Sequence, residues 1–207
     1  QMCIRDRLHF DVESFNRRVI TENFNRTVLT EIANDLNPEG DGKTLIYAVD
    51  DNHADLIVKI LKEIYEPMGV PNDAIMKITG SIGGGNPKKV QETIKHFKNE
   101  KYPNIAVTVD LLTTGIDVPE ITTLVFMRRV KSRILFEQML GRATRLCPRI
   151  SKTHFEIYDP VGVYESLAPV NTMKPVVKSE SASFTDLLDG LEIFSTDEHL
   201  KNQIDSV

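Results

Sequence analysis

Two arginines three residues apart, Arg142 and Arg145, lie in the segment FEQMLGRATR, Phe136 to Arg145. On an α-helix, positions i and i+3 share a face, so this spacing predicts two guanidiniums converging on one anion. A guanidinium keeps its charge at any physiological pH and grips phosphate oxygens with a planar fork. A solvated arginine pair on a helix surface is the plainer alternative. A second segment, VTVDLLTTGIDVP from Val107 to Pro119, runs from an apolar strand into a loop holding Thr113, Thr114, Gly115 and Asp117. Glycine permits close backbone approach, and threonine hydroxyls can donate to phosphate. Asp117 is able to accept from a ribose hydroxyl or to pair with a cation.

Charge frames both segments. The 207 residues carry a net charge of −5, which alone points away from nucleic acid. Residues 128–152, however, hold eight basic side chains (Arg128, Arg129, Lys131, Arg133, Arg142, Arg145, Arg149 and Lys152) against one acid, Glu137, so the window is +7 and the remainder −12. Such clustering suggests a polyanion site, for nucleotide or DNA. A solvated basic face is the alternative.

Composition excludes several classes. With 41% hydrophobic and 27% charged residues the chain is globular in type, neither disordered nor collagen-like. No apolar run approaches the roughly 18 residues that span a bilayer, and no secretory signal is evident. Cys3 and Cys147 are too few for a disulfide framework or a four-cysteine zinc site, and His9, His53, His96, His154 and His199 show no metal-binding spacing. The expected setting is cytoplasmic, with no structural metal.

Three local patterns mislead. Gly42-Lys43-Thr44 lacks the glycine a P-loop needs five positions earlier, where Asn37 stands, and it precedes a strand instead of opening a helix. Gly83-Gly84-Gly85-Asn86-Pro87-Lys88 has no GK[ST] and reads as a turn that touches, at most, a backbone phosphate. Asp197-Glu198-His199 lacks the buried strand of an acidic magnesium motif and reads as surface.

The elements that must position the two segments alternate. From Thr21 the spacing of Val28, Leu29, Ile32, Ala33 and Leu36 predicts a helix, stopped at Asn37-Pro38-Glu39-Gly40. A strand follows at Lys43–Val49. Asp50-Asp51-Asn52 supplies capping chemistry for a helix through Ala54, Ile57, Leu61 and Ile64, ended by Pro67 and Gly69. Next come a strand at Ala74–Ile78, a glycine loop at Gly80–Gly85, a helix at Pro87–Phe97 and strands at Ile105–Val109 and Ile121–Met127. Ser132 caps a helix to about Leu140, and His154–Tyr158 is the last strand. This alternation predicts an α/β domain with a mostly parallel sheet, whose ligands sit at the carboxyl ends of the strands.

In this order and about 25 residues apart, the two chemical segments resemble motifs V and VI of superfamily 2 helicases and translocases. Gln138, Gly141, Arg142 and Arg145 match the pattern QxxGRxxR; Lys43–Asp50 resembles motif IV, and Ile78-Thr79-Gly80 stands where that family has a short nucleic-acid contact. FNRRVITENFNRTVLTEIA, GKTLIYAVDDNHADLIVKILKE, TVDLLTTGIDVPEI, FEQMLGRATRLCP and YDPVGVYESLAPVNTMKPVV are together similar to the R (restriction/translocase) subunit of type I restriction enzymes. The resemblance implies a RecA-like three-layer α/β sandwich, the helicase C-terminal lobe, with a C-terminal extension. It implies that Arg142 and Arg145 reach the γ-phosphate of ATP, that Gln138 and Gly141 read the nucleotide, and that Gly115 and Asp117 lie near it. It places Asp50, Thr79, Gly80, Thr113 and Thr114 toward the DNA backbone. ATP and Mg2+ would be held mainly by a first RecA-like lobe. Further implied partners are double-stranded DNA, a nuclease domain of the same native chain, and the methyltransferase (M) and specificity (S) subunits, in a prokaryotic cytoplasm.

The domain reading follows. Residues 1–7 contain MCIRD, which a common sequencing-library transposon end encodes in frame, and are set aside as a scar. Residues 8–38 are an interlobe linker and lead-in helix, and 39–165 the helicase C-terminal lobe. Residues 166–207 are a linker and the start of a helical region, with a short helix at Phe184–Phe194. Walker A, Walker B and nuclease signatures are missing and are expected upstream, so the isolated chain should not hydrolyse ATP appreciably. Two other readings stay open: the same lobe of another superfamily 2 DNA helicase, from repair or a type III restriction enzyme, and a non-catalytic DNA- or nucleotide-binding module.

Overall fold

The computed structural model describes residues 16–17, 20–109, 117–130, 132–163 and 167. All of them belong to one compact unit that ends at Ala168. Helix α1 (Glu22–Ala33) buries Leu29, Ile32 and Ala33, the i, i+3, i+4 stripe of an amphipathic helix. Strand β1 (Lys43–Tyr47) is buried along its whole length. Asp50 then caps α2 (Asp51–Tyr65) by accepting from the His53 amide at 2.8 Å. A 3₁₀ turn ends at Gly69, whose φ of 75° is the left-handed geometry glycine allows most cheaply. Strand β2 (Ile75–Lys77) leads through a glycine turn into α3 (Pro87–Asn99), which Asn86 caps from one side and Pro87 starts in its first turn. Strands β3 (Ile105–Thr108) and β4 (Ile121–Phe126) follow. Helix α4 (Arg133–Leu140) is capped by Ser132, and β5 (Glu156–Tyr158) closes the described order.

The five strands form one sheet in the order β2-β3-β1-β4-β5, with every pairing parallel. The expected mostly parallel sheet is therefore wholly parallel among the described strands, each shorter than its apolar run. The register row Met76, Ala106, Leu45, Leu124, Ile157 crosses all five strands, and the next row is Lys77, Val107, Ile46, Val125, Tyr158. Successive side chains of a strand point to opposite faces. Accordingly Leu45, Ala106 and Leu124 pack with α3 and α4, through Val90, Ile94, Phe97 and Met139. Ile46, Val107 and Val125 pack with α1 and α2, through Leu29, Ile32, Ile57 and Leu61. This is the expected three-layer sandwich; each such side chain contributes roughly 1.5–3 kcal/mol by leaving water.

Two polar features tie the layers together. Tyr47 on β1 stacks on Phe126 at 5.3 Å, Phe126 meets Phe136 of α4 at 5.2 Å, and the Tyr47 hydroxyl donates to the Met139 carbonyl at 3.2 Å. Lys43 is only 4% exposed. Its Nζ donates to the carbonyls of Glu100 (2.9 Å), Lys101 (3.3 Å) and Pro103 (2.9 Å) and lies over the Phe97 ring at 5.0 Å. Burial pulls its pKa down to about 8. The lysine of the misleading GKT thus satisfies backbone carbonyls at the start of the sheet and is no phosphate ligand.

Candidate functional site

Among the described residues, the predicted site residues fall on two opposite edges of the sheet. At the edge where the strands begin, the Arg145 guanidinium donates from Nη1 to Asp117 Oδ1 at 2.6 Å. The two chemical segments are therefore in direct contact. Their edge is fixed by Glu120, three residues past Asp117, whose carbonyl accepts from the amide of Lys43, the first residue of β1, at 2.8 Å. Asp117 and Arg145 thus stand where the strands begin and not at their carboxyl ends: Asp117 lies just ahead of β4, and Arg145 is returned to that edge by α4, which follows β4.

The helical spacing of the arginines is also corrected. Helix α4 ends at Leu140, and Gly141 is its C-cap. The following amides donate three residues back, Arg142 to Met139 at 3.3 Å and Ala143 to Leu140 at 2.9 Å, while Thr144 Oγ1 turns onto the Gly141 carbonyl at 3.1 Å. Both arginines therefore lie past the end of the regular helix. Arg142 is half-buried, whereas the Arg145 side chain is 63% exposed. Gln138 is exposed on α4. Thr113, Thr114 and Gly115 lie outside the described residues.

The basic window is not an open patch. Arg128 donates to the Val109 carbonyl (3.3 Å), Arg129 Nε to the Val161 carbonyl (2.6 Å), and Arg133 pairs with Glu137 on its own helix. Arg149 pairs with Glu120 at 2.8 Å. Lys152 is 7% exposed and donates to the carbonyls of Ala143 (2.8 Å) and Pro119 (3.0 Å), thereby clamping the arginine turn onto the segment that carries Asp117. Burial lowers its pKa. Much of the clustered charge therefore holds the lobe together instead of facing a ligand.

The opposite edge carries Asp50, Thr79 and Gly80. Asp50 is exposed and acts as the α2 cap. Thr79 is 3% exposed and donates its hydroxyl to Asp51, a residue the motif comparison passed over. Asp51 also accepts from Ser81 Oγ and Lys77 Nζ, both at 2.7 Å, and Lys77 reaches Asp55 at 2.7 Å as well. The Lys77 ammonium first, then the two hydroxyls, hold the Asp51 carboxyl at about 2. Next to this network Gly83, Gly84 and Gly85 take φ values of 63°, 73° and 79°, so the turn is open only to glycine without strain. Behind it, fully buried His53 accepts from the Val49 amide at Nδ1 (3.1 Å), which leaves Nε2–H to donate to Asn25 Oδ1 at 2.8 Å. Burial lowers the imidazole to about 4. Only adjacency to the Asp50–Asp51 cap could have marked His53 in the sequence. Among the described residues no group of three His, Cys, Asp or Glu side chains is placed to hold a metal ion, and no helix is long and apolar enough to cross a membrane.

The chain is similar to known proteins in sequence and fold. Residues 24–147 match the model of the helicase conserved C-terminal domain. The type I restriction enzyme EcoKI endonuclease subunit of Escherichia coli K12 is 48% identical over 176 residues, which is 84% of this chain and 15% of that protein. The EcoAI endonuclease subunit of Escherichia coli is 32% identical over 162 residues, 75% of this chain and 19% of that protein. The chain thus spans less than a fifth of the length of either relative. A fragment structure described as an HsdR subunit of a type I restriction enzyme from Vibrio vulnificus YJ016 superposes with a TM-score of 0.64 at 25% identity, covering 76% of this chain and 30% of that one. A parallel β2-β3-β1-β4-β5 sheet with the QxxGRxxR turn folded back on Asp117, matched over most of the described residues, means that this chain belongs to the helicase conserved C-terminal domain family, as a lobe related to type I restriction R subunits.

Proposed function

We propose that the chain is the second motor lobe of an ATP-dependent duplex-DNA translocase, acting within the R subunit of a type I restriction enzyme. The observation that carries this reading is the 2.6 Å contact of Arg145 with Asp117, which joins the two anion-handling segments into one site. In this reading Arg142 and Arg145 present positive charge to the γ-phosphate as it transfers, a contribution worth about 10³–10⁵ in rate where such arginines have been measured. Gln138 and Gly141 read the bound nucleotide, with Gly115 and Asp117 beside it. The phosphate cradle and the accompanying Mg2+ belong to a first RecA-like lobe.

DNA meets the opposite edge. Gly80 presents backbone there, and Thr113 and Thr114 are assigned to the same contact from their motif positions alone. Asp50 and Thr79 serve the contact through the turns they hold, because a bare carboxylate would repel phosphate. Nucleotide at one edge and DNA at the other make the rigid sheet a lever: closure on ATP at the amino edge displaces the carboxyl edge along the duplex. A nuclease domain of the same native chain and the M and S subunits complete the enzyme, and the S subunit chooses the sequence.

The test is Arg142→Ala and Arg145→Ala in full-length R subunit assembled with its M and S subunits. DNA-stimulated ATP hydrolysis should fall by about 10³ or more in each variant. Unchanged turnover would instead favour a non-catalytic binding module, and robust hydrolysis by the isolated chain would overturn the two-lobe reading.

A further inference from the structure

Asp117 is approached by two cations, one on each carboxylate oxygen. Arg145 Nη1 lies 2.6 Å from Oδ1, and Lys98 Nζ, from the last turn of α3, lies 3.8 Å from Oδ2. Lys98 belongs to none of the helicase-like segments. Its position is set by the fold: Phe97 beside it is fully buried in the layer that α3 forms, and the Glu100 amide closes the helix end on the His96 carbonyl at 3.0 Å.

We propose that Lys98 is the exchange partner that keeps Asp117 neutralised when Arg145 leaves it for the nucleotide. This rests on the nucleotide role of Arg145 proposed above. Exposed ion pairs are weak, so Arg145, with its side chain 63% exposed, is held in place only loosely by Asp117. Once the guanidinium turns to a triphosphate, the Asp117 carboxylate would stand bare beside a strongly anionic ligand. Like charges at that range oppose binding. Lys98 already faces the second oxygen and is too far for a tight bond while Arg145 holds the first; its four-carbon stem needs only a small rotation to close the gap. Asp117 then passes from one cation to the other without passing through an unpaired state. Lys98 is a positioning residue in this scheme, since it acts on the nucleotide through Asp117.

The exchange affects the nucleotide-bound state as a whole, so its loss should appear in KM more than in kcat. In full-length R subunit assembled with M and S subunits on duplex DNA, Lys98→Ala should raise KM for ATP by about two- to fivefold, the size of one exposed ion pair, with kcat nearly unchanged. Lys98→Arg should restore KM. In an Asp117→Asn background Lys98→Ala should have no further effect on KM. The reasoning is overturned by an unaltered KM in Lys98→Ala, by failure of Lys98→Arg to restore it, or by an equal penalty in the Asp117→Asn background. Arg145→Ala measured alongside separates the two levels. Abolished hydrolysis there with a silent Lys98→Ala rejects only the exchange, whereas normal hydrolysis in Arg145→Ala rejects the nucleotide site on which the exchange depends.

Discussion

Acid should weaken this lobe through His53, and the amount can be worked from the hydrogen bonds. Nδ1 accepts from the Val49 amide and Nε2 donates to Asn25 Oδ1, so the ring is held as the neutral Nε2–H tautomer. A second proton would put an N–H against the Val49 N–H and strand a charge in a site with no exposure. Burial accordingly lowers the pKa from 6.5 to about 4. Between these values the unfolded chain binds a proton that the folded chain refuses, so stability is complete above pH 6.5 and declines as the pH falls toward 4. The single-site linkage amounts to about 2 kcal/mol lost between pH 7 and pH 5, and about 3 kcal/mol in all. Urea unfolding followed by far-UV circular dichroism at half-unit steps from pH 7.5 to 4.5 measures it. Other titrating groups contribute to the slope, so the comparison is with His53→Asn, whose Oδ1 can still accept from Val49 but cannot protonate. The variant should be about 1–3 kcal/mol less stable at pH 7, from the lost Asn25 bond and the space left behind. Its stability should then fall less steeply with acid, the two curves converging by about 2 kcal/mol at pH 5. Parallel curves would refute the neutral buried imidazole.

Three further outcomes follow from the same structure. Lys152→Met keeps the stem but removes the ammonium from the carbonyls of Ala143 and Pro119; with two acceptors stranded, the unfolding free energy should drop by about 2–4 kcal/mol in a denaturant titration. Gly42→Ala would drive a Cβ into Thr122 Oγ1 on the neighbouring strand β4, and since a β-branched side chain has few places to go, calorimetry should show a loss of about 1–3 kcal/mol. Asp51→Ala distinguishes geometry from charge: it removes a carboxylate, leaving Lys77 with Asp55, and would tighten duplex binding if charge alone mattered, but it also takes the shared acceptor from Thr79 and Ser81, so the assembled enzyme should bind nonspecific duplex about three- to tenfold more weakly in a fluorescence-anisotropy titration.

What could be read in the sequence and what could not divide along a physical line. Local chemistry was legible. Asp50 and Ser132 each cap the helix that their types and positions announce, and the apolar runs fall on strands because a sheet covered on both faces buries five consecutive residues such as KTLIY. The contact between Asp117 and Arg145 was legible as two motifs but not as a bond. What stayed hidden is what is decided by distant carbonyls. Lys43 and Lys152 look like surface lysines; their burial depends on carbonyls contributed by Glu100, Lys101, Pro103, Pro119 and Ala143, which no spacing rule brings together. The same holds for the arginine turn, where Gly141 ends α4 one residue before the pair, so the spacing of a continuous helix no longer applies to it. Charge counted along the chain therefore overstates the charge available to a ligand. In this lobe Lys152 and Arg149 hold the Asp117–Glu120 segment and the arginine turn in register, while Arg145 remains exposed with its weak bond to Asp117. Exposure alone does not single out Arg145, since the Arg149 side chain is exposed as well; what sets Arg145 apart is that its partner Asp117 has a second cation, Lys98, 3.8 Å from its other oxygen.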